Sequence, residues 1–175
     1  EKNKSGFAIA DFNGNNIDDV VFGTDDDKLY LIYDDGHIAP GFPFLGNNKF
    51  KITPTILNIN NENIIFAPCR KTLYVIDNIG EEIFNIEFDY SISTSVSVLE
   101  HVDLISMFIG LDNGDVYGID PSGNINYLYN IGSKVIGEVL FSDIDYNGSP
   151  NIVAVNELGE LHVLNLDGVS INHFP

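Results

Sequence analysis

The sequence predicts an all-β protein built from four repeats of about 44 residues, and three observations carry that prediction. Four glycines that close a recurring hydrophobic segment lie 44, 43 and 45 residues apart, namely Gly36, Gly80, Gly123 and Gly168. An aromatic position six residues before each glycine has the same spacing and holds Tyr30, Tyr74, Tyr117 and His162. The hydrophobic residues alternate as in strands, and neither helical periodicity nor helix caps occur in the sequence.

Each repeat contains the signals of four short strands. An apolar first strand such as Phe7 to Phe12 precedes a polar loop, and a second strand such as Val20 to Phe22 is rich in β-branched and aromatic residues. A turn of the type Asp112-Asn113-Gly114-Asp115 leads to the third strand, which carries the aromatic position. A fourth strand, for example Gly41 to Phe44, follows the closing glycine.

Four strands within about 40–45 residues, repeated in tandem, are typical of a β-propeller blade, whereas a β-helix has a shorter repeat. We therefore predict four-stranded antiparallel blades in one repeat domain, with repeats at about 1–48, 49–91, 92–132 and 133–175. The last residues, Phe174-Pro175, match Phe42-Pro43 in phase, so the chain holds four whole repeats. We expect an arc of a larger propeller rather than a closed four-bladed ring. Such an arc would expose two blade faces and favour self-association.

Composition excludes several classes of partner. The chain has 26 acidic and eight basic residues, a net charge of −18, which disfavours nucleic acid and anionic lipid. No apolar run approaches the roughly 20 residues of a membrane-spanning helix, so membrane insertion is not expected. Cys69 is the single cysteine and lies in a strand-like run, where a buried, inert thiol is expected. Because the sequence begins at Glu1 rather than Met, we expect a mature or excised piece.

The loop after the first strand has the oxygen pattern of a calcium site. Side-chain oxygens alternate at Asp11, Asn13 and Asn15, and the carbonyl of Ile17 and the carboxylate of Asp19 can complete a shell. Calcium takes six to eight oxygen ligands, which a tight alternating loop can supply from one side.

The fourth repeat carries the same loop 132 residues later. Its donors are Asp143, Asp145, Asn147, the carbonyl of Ser149, and Asn151. The equivalent segments of repeats two and three, 58–63 and 100–103, lack the alternation and predict plain hairpins. The alternative for both acidic loops is an Asx-rich turn that needs no ion.

At these residues the chain resembles the FG-GAP/VCBS family, the integrin-α-like propeller repeats of secreted bacterial proteins. The family pattern Asp-x-Asp-Gly-Asp-Gly-x-x-Asp, followed by an apolar strand, is matched by Asp11 to Asp19 and Val20 to Gly23. Lys28-Leu29-Tyr30, Gly36 and Pro40-Gly41-Phe42-Pro43 match its later segments. The resemblance implies a propeller fold, a secreted or cell-surface location, and calcium held by the ten donors named above. Asparagine stands where the family has aspartate at 13, 15, 147 and 151, which implies weaker sites.

The sequence shows no catalytic constellation. His37, His101, His162 and His173 include no pair with metal-ligand spacing, and neither a Gly-x-Ser-x-Gly elbow nor a phosphate-binding glycine loop occurs. We therefore predict a non-enzymatic extracellular module that binds or adheres to a protein or glycan. Two alternatives remain: a structural spacer of a large surface protein, and the non-catalytic arc of a propeller enzyme that acts on polysaccharide.

Overall fold

The computed structural model describes residues 3–101, 104–171 and 174, and within them every regular element is a β-strand. The all-β prediction is confirmed. The first sheet contains β1 (Asn3–Ala10), β2 (Asp19–Thr24), β3 (Lys28–Ile32) and β4 (Phe44–Leu45). The second contains β5 (Thr55–Ile59), β6 (Glu62–Cys69), β7 (Thr72–Ile76) and β8 (Glu82–Glu87). The third contains β9 (Ser97–His101), β10 (Leu104–Gly110), β11 (Asp115–Ile119) and β12 (Ile125–Asn130). The fourth contains β13 (Val135–Ser142), β14 (Asn151–Asn156) and β15 (Leu161–Leu164).

Each sheet is an antiparallel meander in which every strand pairs with the next along the chain. This is the arrangement of β-propeller blades, as the repeat predicted. In the fourth sheet three strands are described, and a single bridge joins Leu164 to Ser170 where a fourth strand would begin. The predicted match of Phe174-Pro175 to Phe42-Pro43 cannot be followed to its end, because residue 175 lies outside the described residues. His173 also lies outside them. Within the described residues no helix is long and apolar enough to cross a membrane.

The fourth strand of the first repeat is shorter than predicted. We expected it over Gly41 to Phe44, but β4 covers Phe44–Leu45 alone. Two local causes account for the difference. Gly41 has a φ of 81° and belongs to a turn, and Pro43 has no N–H group to donate to the neighbouring strand.

The turns that join the strands form as the sequence indicates. In the turn between β10 and β11, the Leu111 N–H donates to the Asp115 carbonyl oxygen at 2.8 Å, and the Gly114 N–H donates to the Leu111 carbonyl oxygen at 3.1 Å. Gly114 has a φ of 92° there, and a Cβ on it would lie 2.7 Å from the carbonyl oxygen of Ser133. Only glycine therefore fits this position.

The chain divides into two compact halves, Glu1–Asp89 and Tyr90–Pro175, and each contains two sheets around its own core. In the N-terminal half the first and second sheets pack through a cluster of buried residues: Val21, Leu29, Leu31, Ala39, Phe50, Ile65, Ala67, Cys69, Tyr74 and Ile76. In the C-terminal half the third and fourth sheets pack through a second cluster: Leu99, Phe108, Val116, Ile131, Val135, Val139, Ile152, Ala154 and Leu164.

Cys69 lies in the first of these clusters and is fully buried, as expected for an inert thiol. Burial raises the pKa of the thiol to about 11, and the nearby charge of Asp27 also raises it. The Sγ atom donates to the carbonyl oxygen of Asn48 at 2.8 Å. The thiol is therefore protonated at neutral pH and cannot act as a nucleophile there.

The buried and exposed leucines of the first sheet provide a matched test of the core. Leu31 is 0% exposed, and Leu45 on β4 is 68% exposed. We expect Leu31→Ala to lower the free energy of unfolding by about 2–5 kcal/mol, because it leaves a cavity. Leu45→Ala should change it by less than about 0.5 kcal/mol. Urea unfolding followed by circular dichroism measures both, and equal losses would contradict the assigned core.

Candidate functional site

Asp11 organises the first acidic loop by accepting three backbone hydrogen bonds. The N–H groups of Gly14, Asn15 and Asn16 lie 2.7, 3.2 and 2.7 Å from its carboxylate oxygens. Gly14 and Asn16 have φ values of 78° and 63°, a left-handed conformation that glycine and asparagine tolerate. These two residues turn the backbone so that its donors converge on one carboxylate.

The other polar side chains of this loop also accept bonds from within it. Asn13 Oδ1 accepts the N–H of Asn15 at 3.1 Å, and Asn15 Oδ1 accepts the N–H of Ile17 at 2.7 Å. Asp19 Oδ2 accepts the N–H of Phe12 at 2.8 Å. Asp19 is fully buried, whereas the residues from Asn13 to Asp18 are exposed. The loop is therefore anchored at its buried end.

The second acidic loop repeats this hydrogen-bond pattern in the fourth repeat. Asp143 accepts the N–H groups of Asn147 and Gly148 at 2.9 and 3.0 Å. Asn147 Oδ1 accepts the N–H of Ser149 at 2.8 Å, and Asn151 Oδ1 accepts the N–H of Ile144 at 2.7 Å. Each of these four bonds has its equivalent 132 residues earlier in the first loop.

The positive backbone dihedrals recur at the same places. The fourth position of the loop holds Gly14 or Tyr146, with φ values of 78° and 55°. The sixth holds Asn16 or Gly148, with φ values of 63° and 87°. Different side chains thus adopt one backbone conformation. The two loops are equivalent in structure as well as in sequence position.

The network around Asp11 lowers the pKa of its carboxyl group. Desolvation alone would raise this pKa, but the N–H donors of Asn16, Gly14 and Asn15 together outweigh it. The folded state therefore favours the ionised carboxylate. The stability that Asp11 contributes is present above its unfolded pKa and is lost as the pH falls through the lower folded value.

A residue that the sequence did not single out, Asp34, joins the first loop to the turn after β3. Its Oδ1 atom accepts the side-chain amides of Asn15 and Asn13 at 2.8 and 3.4 Å. Its own N–H donates to Asp19 Oδ1 at 2.9 Å. These contacts fix which end of each asparagine amide is the oxygen. The Asp34-Asp35-Gly36 turn signal was visible, but its distance of about 20 residues from the loop hid the contact.

The donor types of both loops fit calcium. The first offers the carboxylates of Asp11 and Asp19, and the second those of Asp143 and Asp145. Amide and backbone carbonyl oxygens make up the rest of each set, and every such oxygen has two lone pairs, so an N–H bond leaves one for a cation. In residues 3–101, 104–171 and 174, no three Asp, Glu, His or Cys side chains cluster closely enough to hold a metal. Amide oxygens and water would therefore have to supply much of the shell.

The equivalent segment of the second repeat forms a plain hairpin, as predicted. Asn58 pairs with Asn63, and the two-residue turn between the strands consists of Asn60 and Asn61, with φ values of 53° and 65°. In the third repeat His101 pairs with Leu104, and the intervening residues 102 and 103 lie outside the described residues. The side chain of Asn63 also donates to the carbonyl oxygen of Asp11 at 2.7 Å.

A polar pocket in the N-terminal half is a second candidate site, which the sequence reading missed. Its volume is about 170 Å³. It is lined by Asn47, Asn48, Arg70, Lys71, Thr72 and Glu87. Half of the eight basic residues in the chain lie between positions 49 and 71, namely Lys49, Lys51, Arg70 and Lys71. This segment is therefore basic although the protein as a whole is acidic. That clustering was the signal available in the sequence.

The wall of this pocket is ordered by specific contacts. The backbone N–H of Asn47 donates to the Tyr74 hydroxyl at 3.1 Å, and its side-chain amide donates to Thr72 Oγ1 at 2.9 Å. Lys71 Nζ donates to the carbonyl oxygen of Asp89 at 2.6 Å. Arg70 lies at the tip of the β6–β7 turn with a φ of 56° and is exposed. Its guanidinium makes no hydrogen bond or ion pair among the described residues.

His162, at the aromatic position of the fourth repeat, is packed among neighbouring side chains. It is 7% exposed and lies 6.5 Å from Tyr129 between ring centroids. Both ring nitrogens are buried without a hydrogen-bond partner among the described residues. The ring therefore fills the aromatic position of the fourth repeat as an apolar group would.

Comparison with known proteins identifies the fold. No protein-family model matches the chain, and no curated protein sequence matches it. BamB from Moraxella catarrhalis is similar with a TM-score of 0.71 and 15% identity, over 97% of this chain and 49% of BamB. BBS1N, whose structure was determined in complex with ARL6DN, is similar with a TM-score of 0.66 and 13% identity, over 97% of this chain and 50% of that chain.

The computationally designed protein Ika4 is also similar, with a TM-score of 0.62 and 14% identity over 94% of this chain and 91% of Ika4. The chain thus spans about half the length of the BamB and BBS1N chains. At these identities the similarity shows the β-propeller fold alone.

Asp11 and Asp18 provide a matched pair within one loop. Asp11→Ala removes the acceptor of three N–H groups, so we expect a lower thermal midpoint at pH 7 even with a chelator present. The difference from the unaltered protein should narrow as the pH falls from the unfolded pKa through the lower folded pKa, because the wild-type carboxylate becomes protonated over that range, first in the unfolded and then in the folded state. Thermal unfolding at several pH values measures this. An equal effect of Asp18→Ala, an exposed carboxylate of the same loop, would contradict the network.

Proposed function

We propose that this chain is a calcium-stabilised β-propeller module of the FG-GAP/VCBS kind that binds a protein or glycan outside the cell, without a catalytic step of its own. The observation that carries the proposal is the hydrogen-bond pattern shared by the loops at Asp11 and Asp143. Two loops three repeats apart keep one backbone conformation and one set of oxygen donors. A shared cation requirement explains that correspondence directly.

In this proposal each loop holds one calcium ion. The first ion is held by Asp11, Asn13, Asn15, the carbonyl of Ile17 and Asp19. The second is held by Asp143, Asp145, Asn147, the carbonyl of Ser149 and Asn151. A bound calcium ion neutralises the carboxylates of its loop and cross-links the loop to the strand that follows.

The affinity expected for these sites agrees with an extracellular location. Each loop is already ordered by its own hydrogen bonds, so binding costs little conformational entropy. Amides in place of carboxylates at Asn13, Asn15, Asn147 and Asn151 lower the negative charge and hence the affinity. Extracellular calcium modules work with dissociation constants of about 10⁻⁴–10⁻³ M, where weak sites of this type are filled. A secreted or cell-surface position follows.

We propose that the ligand binds in the pocket around Arg70. A guanidinium with no partner in the described residues presents a planar fork of donors that matches a carboxylate. The amides of Asn47 and Asn48 and the hydroxyl of Thr72 offer hydrogen bonds to neutral polar groups, and Glu87 disfavours a purely anionic ligand. A glycan or peptide that combines a carboxylate with hydroxyl or amide groups fits this lining. BBS1N was crystallised with another protein, ARL6DN, so a chain of similar fold forms protein complexes.

Thermal unfolding with and without calcium tests the metal proposal. At ten times its dissociation constant, one ion stabilises the folded state by about 1.4 kcal/mol. We expect millimolar calcium to raise the midpoint of the chelated protein, and Asp11→Ala and Asp143→Ala each to remove part of the rise. Asp167→Ala, which removes an exposed carboxylate outside both loops, should keep all of it. An unchanged midpoint on adding calcium would mean that the loops are Asx-rich turns alone.

Binding to immobilised glycans and peptides tests the pocket. We expect the protein to retain carboxylated ligands, and Arg70→Ala to weaken retention at least tenfold. Lys134→Ala removes a basic residue of the C-terminal half, whose Nζ lies 2.8 Å from Asp112, and should leave binding unchanged. Equal binding by both variants would place the ligand elsewhere, and calcium stabilisation without any ligand would favour the structural-spacer role.

A further inference from the structure

Three Asn-Gly dipeptides occur in the chain, and two of them lie in the acidic loops. They are Asn13-Gly14 and Asn147-Gly148 in the loops, and Asn113-Gly114 in the turn between β10 and β11. An asparagine followed by glycine is prone to lose its side-chain amide, because glycine has no Cβ to hinder its backbone nitrogen from attacking the asparagine side chain. Asn13 and Asn147 are exposed, so water has access to both.

The reaction replaces the amide of asparagine with a carboxylate and consumes only water. The glycine nitrogen bonds to Cγ of the asparagine, the Cγ–Nδ2 bond breaks, and the glycine N–H proton leaves with Nδ2 as ammonia. Water then opens the resulting cyclic imide at either of its carbonyl groups. Opening at one carbonyl gives aspartate in an unaltered backbone, and opening at the other gives isoaspartate, in which the backbone runs through the side chain.

The glycines of the two acidic loops have room for this reaction, whereas Gly114 does not. Gly14 and Gly148 are exposed, and a Cβ on either of them would meet no atom within 4 Å. Gly114 is buried, and a Cβ on it would lie 2.7 Å from the carbonyl oxygen of Ser133. Because the imide forms only where the backbone can shift, we expect the reaction in the loops and not in the β10–β11 turn.

A hydrogen bond to a carboxylate restrains the reaction in both loops. The N–H of Gly14 donates to Asp11 Oδ1 at 2.7 Å, and the N–H of Gly148 donates to Asp143 Oδ2 at 3.0 Å. The attacking nitrogen must leave this bond before it can reach Cγ of the asparagine. Each carboxylate therefore slows the loss of the amide in its own loop.

The amide groups that the reaction removes are hydrogen-bond donors to carboxylates. Asn13 Nδ2 donates to Asp19 Oδ1 at 3.5 Å and to Asp34 Oδ1 at 3.4 Å. Asn147 Nδ2 donates to Asp145 Oδ2 at 3.0 Å. An oxygen in place of either Nδ2 atom would put negatively charged carboxylates in contact, which is unfavourable unless a cation lies between them.

We propose that Asn13 and Asn147 are sites of spontaneous deamidation, and that the carboxylate formed at each of them makes its loop depend on a bound cation. In the unmodified chain the two amides satisfy the neighbouring carboxylates without an ion. After the reaction a cation has to do so, and calcium is the ion that oxygen ligands of this kind suit. The dependence on calcium rests on the function proposed above, whereas the reaction at asparagine does not.

Peptide mapping by mass spectrometry after incubation of the folded protein at about pH 9 tests the reaction. We expect the mass increase of the Asn-to-Asp change about tenfold faster at Asn13 and Asn147 than at Asn113, because exposed loops open more readily than buried turns. Asp11→Ala should accelerate the change at Asn13 alone, and Asp143→Ala at Asn147 alone, so each variant is the control for the other loop. Conversion in the loops no faster than at Asn113 would overturn the proposal.

Thermal unfolding of Asn13→Asp tests the consequence of the reaction. With a chelator present we expect a lower midpoint than in the unaltered protein, and a larger rise on adding millimolar calcium. Asn165→Asp adds the same charge where Asn165 Oδ1 accepts two backbone N–H groups, as Asp77 and Asp120 do in their repeats, and should change neither value. A chelated midpoint no lower than that of Asn165→Asp would overturn the dependence on a cation. A lowered midpoint that calcium does not raise would overturn the calcium sites, while the peptide map still decides the reaction.

Discussion

A blade of this protein can bury both of its apolar faces only when a neighbouring blade covers each of them, and the rest of the structure follows from that constraint. A single sheet of about 40 residues has too little surface of its own to fold around. The second and third sheets are buried on both faces and contribute most of the fully buried side chains. The glycines that close each repeat and the aromatic position in the third strand recur because every sheet must present the same pair of faces.

The acidic loops satisfy a second constraint, which concerns polar groups. In the first and fourth sheets the loop between the first and second strands forms no ladder, so its N–H groups need other acceptors. Asp11 and Asp143 supply them, and this is why the first position of each loop is a carboxylate. The same bonds hold the remaining oxygens in an order that suits a cation. In the calcium-bound state that we propose, the ion adds stability to a conformation that these hydrogen bonds already form.

Features set by neighbouring residues were predictable, and those set by distant ones were not. The strands, the Asn58–Asn63 hairpin and the Gly114 turn follow from alternation and turn residues within a few positions. Asp34 reaches the first loop from beyond β3, and the pocket at Arg70 joins residues 47, 70 and 87, so neither has a local pattern. The shortness of β4 has two causes that lie close to it in the sequence. Pro43 cannot donate to a neighbouring strand, and the turn at Gly41 moves the start of the strand to Phe44.

Hydrogen exchange measured by mass spectrometry tests most directly whether face coverage controls this structure. The account predicts slow exchange for β7 and β11, which belong to the sheets buried on both faces. It predicts faster exchange for β3, the corresponding strand of the first sheet, where Tyr30 and Ile32 are only half-buried. Equal protection of all three strands would contradict it.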